Sequence, residues 1–186
     1  MNWVAFAIVA WIALGLETGL RDALRLGSTS VAPSFVVPVA VYIALSTPPR
    51  TALWANIVLG LLLDLTWLLP RADGPQAHVI GPYALGMVTA TQLVLAMRGL
   101  VIRKNILTHA VLSALAAAAM HSVVVAILTL RTIIGDAIQI DPTQQLFVRL
   151  LSSAATAATG LVLGFALLRL DPLMGLHLDR RGRVTR

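Results

Sequence analysis

The sequence contains no cysteine, which excludes disulfides, thiolate metal sites and a cysteine nucleophile. Charge is scarce as well: Asp, Glu, Lys and Arg make up 12% of the 186 residues, about half the roughly 25% of a soluble domain. No stretch is polar enough to build a soluble domain of its own. Neither an HExxH nor a GxSxG string occurs, so zinc-peptidase and serine-hydrolase chemistry have no footing. Ser152-Ser153 and the histidines form no nucleophile constellation, and His109 and His121 fall about 120° apart around one helix. No catalytic residue, metal ligand set or cofactor site is therefore assigned. The period-two alternation of an outer-membrane barrel strand is missing too.

What remains is apolar: 58% of the residues are hydrophobic and the mean hydropathy is +0.87. Apolar runs long enough to cross about 30 Å of hydrocarbon recur along almost the whole chain. These features predict an all-α integral membrane protein with about six transmembrane helices in one compact bundle. The spans fall at roughly 3–20, 29–46, 51–69, 79–97, 106–130 and 146–169, giving a transmembrane domain over 1–170 and a basic tail over 171–186. Thr47-Pro48-Pro49-Arg50 ends the second span, residues 70–76 read as a Gly/Pro/Asp turn, and Asp141-Pro142 reads as an N-cap followed by proline at the first helical position. Asp171-Pro172 closes the last span. The second run is short and carries Pro33 and Pro38, which predicts either a kinked span or a re-entrant segment. The run from Trp3 follows no basic segment and lacks a clear small-x-small cleavage site, so it reads as a retained span and not a signal peptide.

Six spans with a cytoplasmic amino terminus put Arg50, Arg98, Arg103, Lys104, Arg169, Arg180, Arg181, Arg183 and Arg186 inside, nine of the fourteen basic residues. Arg21, Arg25, Arg71, Arg131 and Arg149 fall outside. Both termini are thus expected in the cytoplasm. The tail, LHLDRRGRVTR, suits anionic lipid, whereas no basic surface outside the membrane is large enough to follow a nucleic acid backbone.

Small residues at Ala110, Ala114, Ala118, Ser122 and Ala126 form a four-residue ladder on the fifth span, predicting a ridge buried against neighbouring helices of the same chain. Thr156, Gly160 and Gly164 repeat the device on the sixth. Four polar groups share a depth in the outer half: Glu17, Asp64, His121 and Arg149. A lone ionised Asp near mid-span costs about 2.5–3.5 kcal/mol on insertion scales, so Asp64 must point into the bundle. Arg149 is its expected partner, with His121 as second choice, while Glu17 has Arg21 one turn away on its own helix. The bland role for this set is a polar latch that sets helix register; the sharper ones are an outward polar pocket or an ion path.

The stretch GLLLDL (60–65), the loop after it and IGPYALGMVTATQLVLAMRGLVIRKN (80–105) together resemble the rod shape-determining MreD family. There a Gly-apolar-Asp span leads through a brief loop into a segment beginning near Leu-Gly and ending in a basic cytoplasmic turn. The matching positions are Gly60, Asp64, Gly81, Gly86, Arg98, Arg103 and Lys104, although the 70–79 loop and the proline-rich second span depart from the pattern. The resemblance implies a non-enzymatic inner-membrane scaffold of the bacterial cell-elongation complex. It also implies an MreC-like partner and, through the complex, MreB, RodA and a penicillin-binding transpeptidase. It further implies the six-helix fold of the S components of energy-coupling-factor vitamin transporters, which supplies an alternative function. Those subunits carry an Ala-x-x-x-Ala docking motif on the first helix; here Ala5, Ala7, Ala10 and Ala13 give no such pair.

Overall fold

The computed structural model describes residues 2–25, 29–69, 74–101, 105–135 and 141–174. They form six helices: α1 (Trp3–Leu20), α2 (Val36–Ser46), α3 (Pro49–Thr66), α4 (Pro82–Met97), α5 (Ile106–Ile133) and α6 (Pro142–Met174). A short antiparallel hairpin, β1 (Leu68–Leu69) with β2 (Ala77–His78), links α3 to α4. The chain is therefore the expected all-α membrane bundle, in which α1, α5 and α6 are long and apolar enough to cross a bilayer, whereas α2 and α4 are shorter.

The second expected span is not one continuous helix over 29–46. Residues 29–34 are neither helix nor strand, Phe35 is the N-cap, and only Val36–Ser46 is helical. Pro38 does not kink α2, because it occupies the first turn, where its missing N–H has no intrahelical partner in any case. From Val36 to Leu45 every residue is buried, and α2 touches all five other helices. An all-round apolar sequence suits that central position. α1 lies at the edge: its inward stripe is Phe6, Ala10, Ala13 and Glu17, and Trp11 is 81% exposed on the opposite face. The last helix runs through Asp171-Pro172 to Met174 instead of stopping before it. Residues 175–186, with most of the basic tail, and Arg103 and Lys104 lie outside the described residues.

Glycine sets the interhelical distances. A Cβ at Gly60 would stand 2.6 Å from Ala84 Cα, and one at Gly86 would stand 2.8 Å from the Met120 carbonyl oxygen. Only glycine allows α3–α4 and α4–α5 to approach so closely. On α6, Gly160 meets Ser113 and Ala110, and Gly164 meets the His109 ring, so the small residues expected on the sixth span do form a packing surface.

The ladder expected on the fifth span requires correction. Ala110 is buried and Ala114 and Ala118 are half-buried, but Ser122 and Ala126 are exposed. A four-residue step advances about 400° around a helix of 3.6 residues per turn, so four steps carry the ladder about 160° off its starting face. The face that is buried instead runs through His109, Leu112, Ser113, Ala116, Ala117, Met120, Val124 and Leu128.

Candidate functional site

The polar groups in the bundle are explained by where helices begin. The first turn of any helix presents backbone N–H groups with no intrahelical acceptor, and in a water-free interior each of them needs a partner. α1, α5 and α6 begin at exposed positions and are capped locally by Asn2, Asn105 and Asp141. α2 and α4 begin inside the protein.

At α4 the partner is Asp64, 1% exposed. Its carboxylate accepts from the Gly81 N–H at 2.9 Å, the Tyr83 N–H at 2.9 Å and the Ala84 N–H at 3.2 Å. Pro82 has no N–H, and the Leu85 N–H returns to the Gly81 carbonyl, which accounts for every donor of the first turn. Gly81 makes the entry possible with a φ of 118°, a region an L side chain rarely adopts. Gly60 lies one turn from Asp64 on the same face of α3, and its lack of a side chain lets the backbone of Tyr83 and Ala84 come within reach. Four of the seven residues that carry the family resemblance, Gly60, Asp64, Gly81 and Gly86, thus cooperate in seating one helix.

The same device recurs at α2. Glu17 of α1 accepts from the Phe35 N–H at 2.6 Å, the Val36 N–H at 3.3 Å and the Ser34 hydroxyl at 3.0 Å. Ser34 Oγ in turn accepts from the Val37 N–H at 3.4 Å. The extended leg before α2 is held by α6: Ser152 Oγ accepts from the Ala32 N–H, Thr156 Oγ1 accepts from the Ser34 N–H, and Thr159 donates to the Ser34 carbonyl. In each case a negative charge sits against the positive end of a helix dipole.

The expected Asp64–Arg149 pair does not form. Both Asp64 oxygens are already engaged by backbone amides, which offer a desolvated carboxylate three donors where one guanidinium offers two. The expected cluster divides into parts. Arg149 and His121 do come together, with Arg149 Nη1 3.4 Å from His121 Nδ1 and donating at 2.7 Å to the Tyr83 hydroxyl. Glu17 keeps its same-helix partner Arg21 at 3.4 Å.

At the hairpin end of the bundle these groups assemble a stack absent from the sequence-based expectation. Arg21 lies 3.9 Å from the centre of the Trp67 ring, Trp67 stacks on Tyr83 at 6.2 Å, and Arg149 lies 5.6 Å from the Tyr83 ring centre. Two cations thereby bracket two aromatic faces, which attract them through their quadrupoles. Trp67 and Tyr83 gave no periodic signal, whereas Ser152, Thr156 and Thr159 at helical spacing could have revealed the extended leg. At the opposite end Arg98 Nη1 donates at 2.7 Å to the Thr47 carbonyl, tying the end of α4 to the turn between α2 and α3. Midway, the Asn56 amide donates to the Ala40 carbonyl and to Thr91 Oγ1.

Ser153 donates to the Arg149 carbonyl and Ser152 to that of Val148, so both hydroxyls serve helix α6. Among the described residues no group of three His, Asp or Glu side chains could hold a metal ion. Comparison with protein-family models, with curated proteins and with solved structures finds no match to this chain.

Proposed function

We propose that this chain is a non-enzymatic scaffold of the bacterial inner membrane that binds an MreC-like protein within the cell-elongation, peptidoglycan-building complex. Both termini face the cytoplasm in this reading. RodA, a penicillin-binding transpeptidase and MreB join through the complex, and the basic tail rests on anionic lipid. The observation that carries the reading is the use made of Glu17 and Asp64, the two buried carboxylates among the described residues. Each is committed to the start of a neighbouring helix, which is work a scaffold needs from its acids. Three of the residues behind the family resemblance, Gly60, Asp64 and Gly81, build one of these joints.

Purification of the full-length chain in mild detergent from its native membrane tests the reading. Co-purification of MreC-like and RodA-like proteins is the expected result. A bound vitamin together with an ATPase module would assign the chain to the transporter subunits instead.

A further inference from the structure

Halfway along α3, Asn56 stands where α2, α3 and α4 meet, and it is fully buried. Its amide nitrogen carries two hydrogens and both are used, one on the Ala40 carbonyl at 3.1 Å and one on Thr91 Oγ1 at 2.7 Å. Its amide oxygen, Oδ1, accepts from no group among the described residues. Turning the amide over does not cure this. The oxygen would then face the Ala40 carbonyl, and the two N–H groups would be the ones left over. A bundle in hydrocarbon has no bulk water at this depth, so an acceptor left alone there keeps the whole of its desolvation penalty.

Beside Asn56 the packing leaves a hollow with room for about one water molecule, a volume of about 10 Å³. Small side chains open it: Ala40 on α2, Ala90 on α4 and Ala116 on α5, with Val37 and Val94 completing the wall. Asn56 and Thr91 also line it. Thr91 Oγ1 donates to the Met87 carbonyl at 2.7 Å and accepts from Asn56, and a hydroxyl oxygen has two lone pairs, so one is still open. The two side chains therefore offer two open acceptor positions and no spare donor. A metal cation would find two neutral oxygens and no counter-charge, and an apolar occupant would leave Oδ1 as it stands. The demand is for a small molecule that donates twice.

We propose that this hollow binds one water molecule, which donates one hydrogen to Asn56 Oδ1 and the other to Thr91 Oγ1 and so completes the polar joint of α2, α3 and α4 at mid-depth. Buried waters make about two to four hydrogen bonds. The site is independent of the scaffold reading and does not involve the carboxylate joints.

Water-to-methyl cross-relaxation in the full-length protein, labelled at alanine and valine methyls and held in lipid nanodiscs, tests the proposal. Cross-peaks at the water frequency should appear at the Ala90 and Ala116 methyls and be missing at Ala44 and Ala55, which are as deeply buried but do not line the hollow. Asn56→Leu removes the acceptor and keeps the Thr91 hydroxyl, so the cross-peaks should vanish. Val37→Ile adds a methyl group to the wall and leaves both polar side chains in place; it should abolish them too, and it serves if Asn56→Leu fails to fold. A wild-type protein without these cross-peaks would overturn the proposal. Cross-peaks that persist in Asn56→Leu would also overturn it, because they would come from the exchanging hydroxyl proton of Thr91 and not from a bound water.

Discussion

An acid among leucines at position 64 has two ways to avoid solvation by lipid: a basic side chain or a set of backbone amides. The inward direction was legible in the sequence, because an unpaired carboxylate in hydrocarbon is too costly to leave there. The partner was not legible. Nothing in the order of residues says that α4 begins below the surface, and that buried start is what creates three unsatisfied amides beside Asp64. Hydrogen bonds to a charged group are worth about 1.5–3 kcal/mol each way of counting, so Asp64→Asn should destabilise the bundle by roughly 2 kcal/mol. Arg149→Gln acts on the hydroxyl and ring of Tyr83, the residue whose backbone N–H Asp64 accepts. Sharing that residue without an ion pair, the two losses should couple only weakly in a double-mutant cycle followed by unfolding in detergent, by about 0.5–1 kcal/mol. A large recovery in the double mutant would restore the Asp64–Arg149 pair.

Helices in this bundle meet where side chains are missing or small, and the glycines were the most readable part of that pattern. Gly160 and Gly164 fall at the α5–α6 contact as their spacing suggests, and Gly60 and Gly86 fall at contacts of α4. The alanine ladder of α5 misled because a four-residue repeat is not a helical repeat; over four steps it leaves the buried face. Ala117 is fully buried while Ala118, its neighbour, is half-exposed. Ala117→Leu should then cost about 1–3 kcal/mol through overpacking, and Ala118→Leu should give a near-normal folded yield by size-exclusion chromatography. Equal damage from both would put the ladder back into an interface. At Gly60 the effect should exceed ordinary overpacking. Gly60→Ala pushes α4 from α3 and at the same time pulls its first turn away from Asp64, so its melting temperature should fall at least as far as that of Asp64→Asn.

Across the whole molecule, composition was enough to establish a helical membrane bundle, and the proline and glycine punctuation located most helix ends. It could not separate a span from an extended leg joined to an eleven-residue helix, since residues 29–46 carry no charge and are mostly apolar. The backbone of that leg is satisfied by hydroxyls about 120 residues away on α6, a long-range fact with no local mark. The orientation expected from the basic residues is open to direct test: with no native cysteine, Pro75→Cys should react with an impermeant reagent on intact cells and Gly99→Cys should not. The reverse labelling would invert the topology. At the centre of the account is a single device used twice, an acid on one helix that caps the buried start of the next. Amide hydrogen exchange on the full-length protein in lipid nanodiscs reads it residue by residue. Asp64→Asn should speed exchange about tenfold or more at Gly81, Tyr83 and Ala84, the equivalent of roughly 1.4 kcal/mol, and leave Phe35 and Val36 protected. Glu17→Gln should do the converse. Unchanged protection at Gly81, Tyr83 and Ala84 in Asp64→Asn, or loosening that appears first in α6 around Arg149, would contradict it.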